Sequence, residues 1–441
     1  MAREPLELVI DSLDAEGRGV ARKADGKVVF VEGALAGERV LAESVRSKST
    51  YEQARAIRIL KASSERREPL CRHFEHCGGC VTQYAQVRAQ VAAKQRWLEE
   101  TFARIGEVSP GVLLPPLYGM EWGYRHRARL TVRHVAKKGG ALVGFHERRS
   151  SYVVDMDSCE VLTPAVSALL VPLRRLIDSL SLRARIPQIE IAVGDEITAL
   201  VIRNLDATTP EDDAELRRFA DETGTWIWLQ PGGPDSAYPF HPASGPRLDY
   251  VLPEFDLRLA FAPTEFTQVN HAVNRALVSR AMRLLDPRPG ERIADLFCGL
   301  GNFSLPIARL GATVHGVEGS EALVRRAREN AAANGLSGRA GFSVANLFSE
   351  EEASLASLGH FDKLLIDPPR DGALEVIKAL PEDGPERIVY VSCHPATLAR
   401  DAGVLVNVKG YRLGAAGVVN MFPHTAHVES MAVFERVRPG N

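Results

Sequence analysis

Cys393 stands in Val391-Ser392-Cys393-His394-Pro395, directly after the apolar run Arg387-Ile388-Val389-Tyr390-Val391. That run reads as a buried strand ending where a turn begins, and a thiol held at a strand end is a candidate nucleophile. Upstream, Asp367-Pro368-Pro369-Arg370 closes a second apolar run, and Asp295-Leu296-Phe297-Cys298-Gly299-Leu300-Gly301-Asn302-Phe303 lies further back. Near the C-terminus comes His427-Val428-Glu429-Ser430. A glycine-containing loop, an acidic strand end, a cysteine and a late carboxylate can share one site. Such a site can form a covalent bond, transfer a group and remove a proton.

A second set of residues points to metal chemistry. Cys71, Cys77 and Cys80 are crowded together, with Gly78-Gly79 supplying a tight turn between the last two. A fourth ligand is needed, for which Cys159 in Asp157-Ser158-Cys159-Glu160 is the leading candidate and His73 and His76 are rivals. In a cytosolic chain this spacing favours metal over disulfide. Tetrahedral thiolate sites suit zinc and iron–sulfur clusters alike, so spacing does not choose between them.

Strands and helices must position these groups. From Phe266 onward apolar runs alternate with helical patterns, the mark of a parallel sheet. Strands are expected at 292–297, 312–317, 340–344, 363–366 and 387–391, helices at 303–310 and 321–334, and an antiparallel pair at 414–421 and 428–434. The loop 298–302 joins the first strand to its helix, where glycines let the backbone approach a ligand and free N–H groups favour anions. It lacks the third glycine of the dinucleotide fingerprint, since Ser304 stands there. Glu318 closes the second strand, placed for ribose hydroxyls, and Asn346 follows the third, placed for adenine.

Ahead of this half, residues 1–62 alternate apolar runs with glycine turns and read as a small β-barrel of the oligonucleotide-binding shape, or else as a structural cap. Residues 63–262 form a middle segment. It is expected to hold the cysteines, a helix from Val81 to about Ile105, strands at 127–133, 141–145, 152–156, 188–193 and 197–202, a helix after Thr163, and a Gly/Pro-rich loop from Gln230 to Pro246.

The chain has 441 residues, 45% hydrophobic and 25% charged, ordinary values for a soluble protein of several domains. No stretch approaches the roughly 18 apolar residues that span a bilayer. The start Met1-Ala2-Arg3-Glu4-Pro5 has no apolar core of a signal peptide, so a cytoplasmic location with no membrane partner is expected. The net charge of −2 hides two basic stretches, each with eight Lys/Arg, at 39–67 and 121–149. Tyr124, Phe145 and Tyr152 are interleaved with the second, which points to nucleic-acid backbone as the partner.

The motifs Phe266-Thr267-Gln268-Val269-Asn270, Asp295 to Asn302, Asp367 to Arg370, Ser392 to Pro395 and His427 to Ser430 occur in this order. Together they resemble the S-adenosyl-L-methionine-dependent RNA uracil-5-methyltransferases, and the resemblance covers essentially the whole chain. It implies an α/β class I methyltransferase, with a Rossmann-like domain at 263–441, an N-terminal TRAM (OB-like) β-barrel at 1–62 and a central α+β iron–sulfur domain at 63–262. It implies Cys393 as the thiolate that attacks uracil C6 and Glu429 as the base that removes the C5 proton. Gln268, Phe297, Asn302, Glu318, Asn346 and Asp367 match cofactor-binding positions, and Phe266 and Asp367 also face the target base. Cys71, Cys77, Cys80 and Cys159 match the ligands of a [4Fe-4S] cluster.

Adenine amino-methyltransferases share the Asp-Pro-Pro motif but carry an aromatic after it. Arg370 stands there instead, beside a cysteine that amino-group chemistry does not need. Barrel and cluster together resemble the members acting on one uridine of 23S ribosomal RNA, as a monomer. Action on a transfer-RNA uridine, on two 23S sites, or as a non-catalytic RNA-binding factor are the alternatives.

Overall fold

A computed structural model describes residues 4–243, 248–349, 351, 353 and 358–437. The N-terminal strands span Leu6–Val9, Ser12–Leu13, Gly19–Arg22, Val28–Glu32, Arg39–Ser47 and Tyr51–Lys61. The opening run pairs with 39–47 at its start, Leu8 opposite Val40, and with 19–22 at its end, Ser12 opposite Val20. One bent run thus borders both ends of the sheet and closes it. Leu8, Ile10, Val29, Val31, Val40 and Ala54 fill the interior. A Cβ on Gly19 would come within 2.8 Å of Ile10 Cγ2, so the wall is close-packed there. Tyr51–Lys61 is a central strand whose far half is exposed.

The middle segment builds a six-stranded sheet in the order 238–241, 225–229, 198–203, 188–193, 127–135, 140–144. Several expectations are corrected here. The first helix starts at Val87, not Val81: the Gln86 amide donates to the Glu65 carbonyl and the Tyr84 carbonyl accepts from the Arg67 amide, groups that a longer helix would pair internally. It runs to Thr101 and continues as a π-helical turn over Phe102–Gly106. Residues 152–156 make one bridge, Val153 to His146, and no strand. The glycine-rich segment contains the strand Tyr238–His241, paired with 225–229, so it is not all loop; residues 244–247 lie outside the described ones. The helix Pro210–Thr223 went unread although Thr209 and Asp212 form a capping box and Pro210 sits at its first turn.

The third sheet has strands β1 Arg292–Leu296, β2 Thr313–Glu318, β3 Ala340–Val344, β4 Lys363–Ile366, β5 Arg387–Ser392, β6 Tyr411–Val419 and β7 Glu429–Arg436. Their order is β3-β2-β1-β4-β5-β7-β6, parallel from β3 to β5, with β7 antiparallel to both its neighbours. Successive side chains alternate faces. Ile293, Leu365, Val389 and Val433 therefore join one core, and Ala294, Leu364, Ile388 and Phe434 the other. Each face is covered: the helix His271–Leu285 packs on the first core and the helix Pro395–Asn407 on the second. Both helices went unread.

The middle of the chain contributes to this unit as well. Leu98, Phe102 and Val108 enter the second core, Val112–Leu113 adds a short strand parallel to β6, and the hairpin 248–261 enters the first. The order reverses between β1 and β4, and ligands of open α/β sheets bind beyond the strand ends at such a reversal.

Candidate active site

β5 is buried along its length, and the chain then turns sharply at Cys393. His394 caps the following helix, its Nδ1 accepting from the Thr397 amide at 3.4 Å, with Pro395 at the first helical position. These two devices hold Cys393 half-buried at the strand end. The β5–β7 register pairs Ser392 with Ser430, so the residues just beyond, Cys393 and Glu429, lie side by side. Asp367, one residue past β4, completes the group.

Electrostatics set these groups apart from their surface counterparts. Burial first, then the Glu429 and Asp367 carboxylates, push the Cys393 thiol up to about 12, while the Arg370 guanidinium opposes that rise. Burial, with Asp367 beside it, raises the Glu429 carboxyl well above its ordinary range. Burial alone raises Asp367. The site therefore favours protonated acids until a positive charge enters it. Arg370 itself is held by His427, Nη2 to Nδ1 at 2.8 Å.

The loop after β1 is conformationally special. Phe297 takes a positive φ of 61°, rare for an aromatic, and its ring packs on Phe348 at 5.6 Å. Gly299 and Gly301 follow with φ of 56° and 98°. Glu318 accepts from the Gly299 amide at 3.2 Å and the Ser320 amide at 3.0 Å, which fixes its carboxylate at the end of β2. Asn302 accepts from the Tyr250 hydroxyl at 2.8 Å and exchanges hydrogen bonds with Asn274. Asn346 accepts from the Phe348 amide at 3.1 Å.

All six candidate cofactor residues (Gln268, Phe297, Asn302, Glu318, Asn346 and Asp367) line one cavity of ≈ 650 Å³. Cys393, Glu429 and the exposed Phe266 line it too. Asn270, from the same motif as Gln268, instead caps the helix 271–285 through the Val273 amide. Tyr250, Phe348 and Phe422 also line the pocket but were not singled out. They lie outside any motif, and only the fold brings them in.

The four cysteines line a second cavity, of ≈ 340 Å³. Cys159 is among them, whereas His73 and His76 are not, and His73 pairs instead with Asp157 at 3.0 Å. Burial pushes the Cys80 thiol up to about 12 and Cys159 up to about 11, so a cationic group is needed to hold them as thiolates. Among the described residues no three His, Cys, Asp or Glu side chains converge as they would on a single ion. Arg148 donates to the carbonyls of Phe74, Cys77 and Cys80, which shapes the cysteine loop from outside.

Comparison with known proteins agrees with this geometry. Residues 252–437 match the tRNA (Uracil-5-)-methyltransferase family model. A 23S rRNA (uracil(1939)-C(5))-methyltransferase RlmD of Dechloromonas aromatica is 60% identical over 97% of this chain and 98% of its own. The chain belongs to the RNA uracil-C5 methyltransferase family. The protein of the same description from Thiobacillus denitrificans is 64% identical, over 96% of this chain and 98% of that one. Among solved structures, the Pyrococcus abyssi tRNA (uracil-54, C5)-methyltransferase in complex with S-adenosyl-L-homocysteine is similar. It has a TM-score of 0.73 and 25% identity, covering 97% of this chain and 99% of that one. The Rossmann-like methyltransferase fold of this family accounts for the parallel sheet and the pocket at its reversal point.

The basic stretch 121–149 is partly engaged in contacts within the fold. Arg127 bonds the Glu265 and Pro263 carbonyls, Arg129 pairs with Glu190, and Arg149 pairs with Glu32. Arg129, Arg133, Lys137, Lys138 and Arg149 nonetheless stay exposed. On the barrel, Arg46, Lys48, Arg55 and Arg58 are exposed as well.

Proposed function

We propose that this chain transfers a methyl group from S-adenosyl-L-methionine to C5 of one uridine in 23S ribosomal RNA, the position its relatives number 1939. The observation that carries the reading is Cys393 beside Glu429 in a pocket lined by all six cofactor candidates. Uracil C5 is a poor nucleophile. Addition of the Cys393 thiolate to C6 moves the ring electrons onto the C4 oxygen and makes C5 nucleophilic. S-adenosyl-L-methionine supplies the electrophilic methyl. Glu429 then takes the C5 proton, the C5–C6 double bond re-forms, and the Cys393 sulfur leaves as thiolate. Arg370 is the cation that favours the thiolate at the start and end of this cycle.

Around that centre, Glu318 suits ribose hydroxyls, Asn346 and Phe297 the adenine, and Asp367 with Gln268 the amino-acid end. The four buried cysteines around one cavity support a [4Fe-4S] cluster, and the closed N-terminal sheet with its exposed cations supports a TRAM-type RNA-binding barrel. We assign residues 1–62 to that barrel, 63–262 to the cluster domain and 263–441 to the transferase domain, in a cytoplasmic monomer. No described helix is long and apolar enough to cross a membrane.

A transfer-RNA target is the second reading, since the similar solved structure is a transfer-RNA enzyme. Incubating the protein with labelled S-adenosyl-L-methionine and total RNA from cells lacking it decides the point. Label should map to one 23S uridine. Label in transfer RNA with none in 23S RNA would reverse the target and leave the chemistry standing.

A further inference from the structure

The segment between β6 and β7, residues 420–428, ends at the base Glu429 and carries Phe422 and His427. Both of those side chains form part of the wall of the catalytic pocket and of the cysteine cavity. Its centre is His424, fully buried, with a positive φ of 66°. Nothing in its own neighbourhood of sequence explains that conformation; its partners come from far away in the chain.

The His424 carbonyl accepts from the amides of Val81 at 2.8 Å and Thr82 at 3.1 Å, the two residues directly after Cys80. Its amide donates to Gln90 Oε1 at 2.8 Å, and its Nδ1 faces Gln90 Nε2 at 3.1 Å. Its Nε2 lies 3.0 Å from the Glu121 carbonyl, which accepts from it, and its ring stacks on Trp122 at 4.0 Å. Three separate places in the sequence therefore hold one residue. Lys94, one turn beyond Gln90, adds a second anchor. Its ammonium is buried with no carboxylate among its recorded partners and donates to Asn420 Oδ1 at 2.7 Å and the Phe422 carbonyl at 2.9 Å.

We infer that His424 is a positioning residue for the base step: it ties the cysteine-bearing segment and the helix 87–101 to the segment that presents His427 and Glu429. This rests on the reading of Glu429 as base. Buried polar groups that are fully satisfied fix one arrangement of a segment. Left without these partners, a nine-residue connection between two strands has many. The nucleophile and most cofactor residues sit at strand ends outside this segment, whereas Glu429 directly follows it, so loss of the anchor bears on release more than on attack, which the segment meets through His427 and Arg370.

The test follows single turnovers on a 23S fragment, separating formation of the covalent protein–RNA complex from its resolution. In His424→Ala, complex formation and S-adenosyl-L-homocysteine affinity should stay within about threefold of wild type, while resolution slows by about tenfold or more. Amide hydrogen exchange across 420–430 should rise. His424→Asn should recover much of the resolution rate, because Asn tolerates positive φ and its Oδ1 can accept from Gln90 Nε2 in place of the ring Nδ1. Resolution at the wild-type rate in His424→Ala would overturn the inference. So would equal losses in complex formation and cofactor binding, or an Asn variant no better than Ala. Should the alanine variant fail to fold, Trp122→Leu, which removes the ring stack and the Arg67 contact but none of the side chains that hydrogen-bond His424, is read by the same criteria. Wild-type resolution in Glu429→Gln would sink the base assignment instead, while the exchange result in His424→Ala would still report on the anchor.

Discussion

Cys393 and Glu429 are neighbours because Ser392 and Ser430 are register partners across β5 and β7. Antiparallel pairing makes the residue after one strand face the residue before the other. A slip of one residue in that register would turn Glu429 to the opposite face of the sheet. Glu429 raises the cost of charge on Cys393, while burial and Asp367 raise it on Glu429 itself.

That pair predicts opposite fates for two variants. Cys393→Ala should still bind S-adenosyl-L-methionine and form no covalent complex with RNA. Glu429→Gln should attack and methylate but release product slower by about 10² to 10⁴, the usual worth of a positioned base. A denaturation-resistant protein–RNA band should accumulate in the glutamine variant alone. If neither variant accumulates it, or if Glu429→Gln turns over normally, another group removes the proton.

Stability should fall with pH because of the same carboxyls. An unfolded carboxyl ionises near pH 4, whereas burial raises Asp367 and Glu429 in the folded protein. The native state then holds more protons than the unfolded one, so the penalty is absent below about pH 4 and grows as pH rises through the raised native values. Glu429→Gln, which cannot ionise, should melt above wild type at pH 8, with the gap closing towards pH 4. Equal Tm differences at both pH values would show that Glu429 carries no such penalty.

Cofactor binding should release protons. A sulfonium brought near Asp367 and Glu429 favours their ionised forms. Calorimetry of S-adenosyl-L-methionine binding near neutral pH, repeated in buffers of different ionisation enthalpy, should show net proton release. It should shrink in Asp367→Asn. No buffer dependence would mean that the carboxyls are already ionised in the empty site.

The cysteine cavity predicts colour and composition. Anaerobically purified protein should be brown and contain iron and acid-labile sulfide, and Cys159→Ala should lose both. Stoichiometric zinc without iron would overturn the cluster. Full retention in Cys159→Ala would place the fourth ligand elsewhere.

The barrel cations predict a salt response. Replacing Arg46, Lys48, Arg55 and Arg58 with Gln should weaken RNA binding while leaving cofactor affinity intact. If all four touch phosphates, the slope of log affinity against log salt should flatten by about 3. An unchanged slope would move the RNA path off this face.

The sequence by itself determined the strand–helix alternation after residue 266, because hydrophobic period and strand-end placement are local properties. It also carried every motif residue that lines the pocket, from Gln268 to Glu429. It marked Cys159 as partner to Cys71, Cys77 and Cys80 from composition and resemblance. Other features were decided only in three dimensions. The helix 87–101 begins late because Glu65 and Arg67, in a separate segment, take the Gln86 amide and the Tyr84 carbonyl that a longer helix would pair internally. Within the basic stretch 121–149, Arg127 turns inward to the Glu265 and Pro263 carbonyls while Arg129, Arg133, Lys137, Lys138 and Arg149 stay exposed, a division that composition does not show. Tyr250, Asn274 and Phe348 hold or flank the cofactor residues without belonging to any motif. Local pattern reports which face a residue buries; which partner meets that face depends on long-range packing, and no short window of sequence contains it.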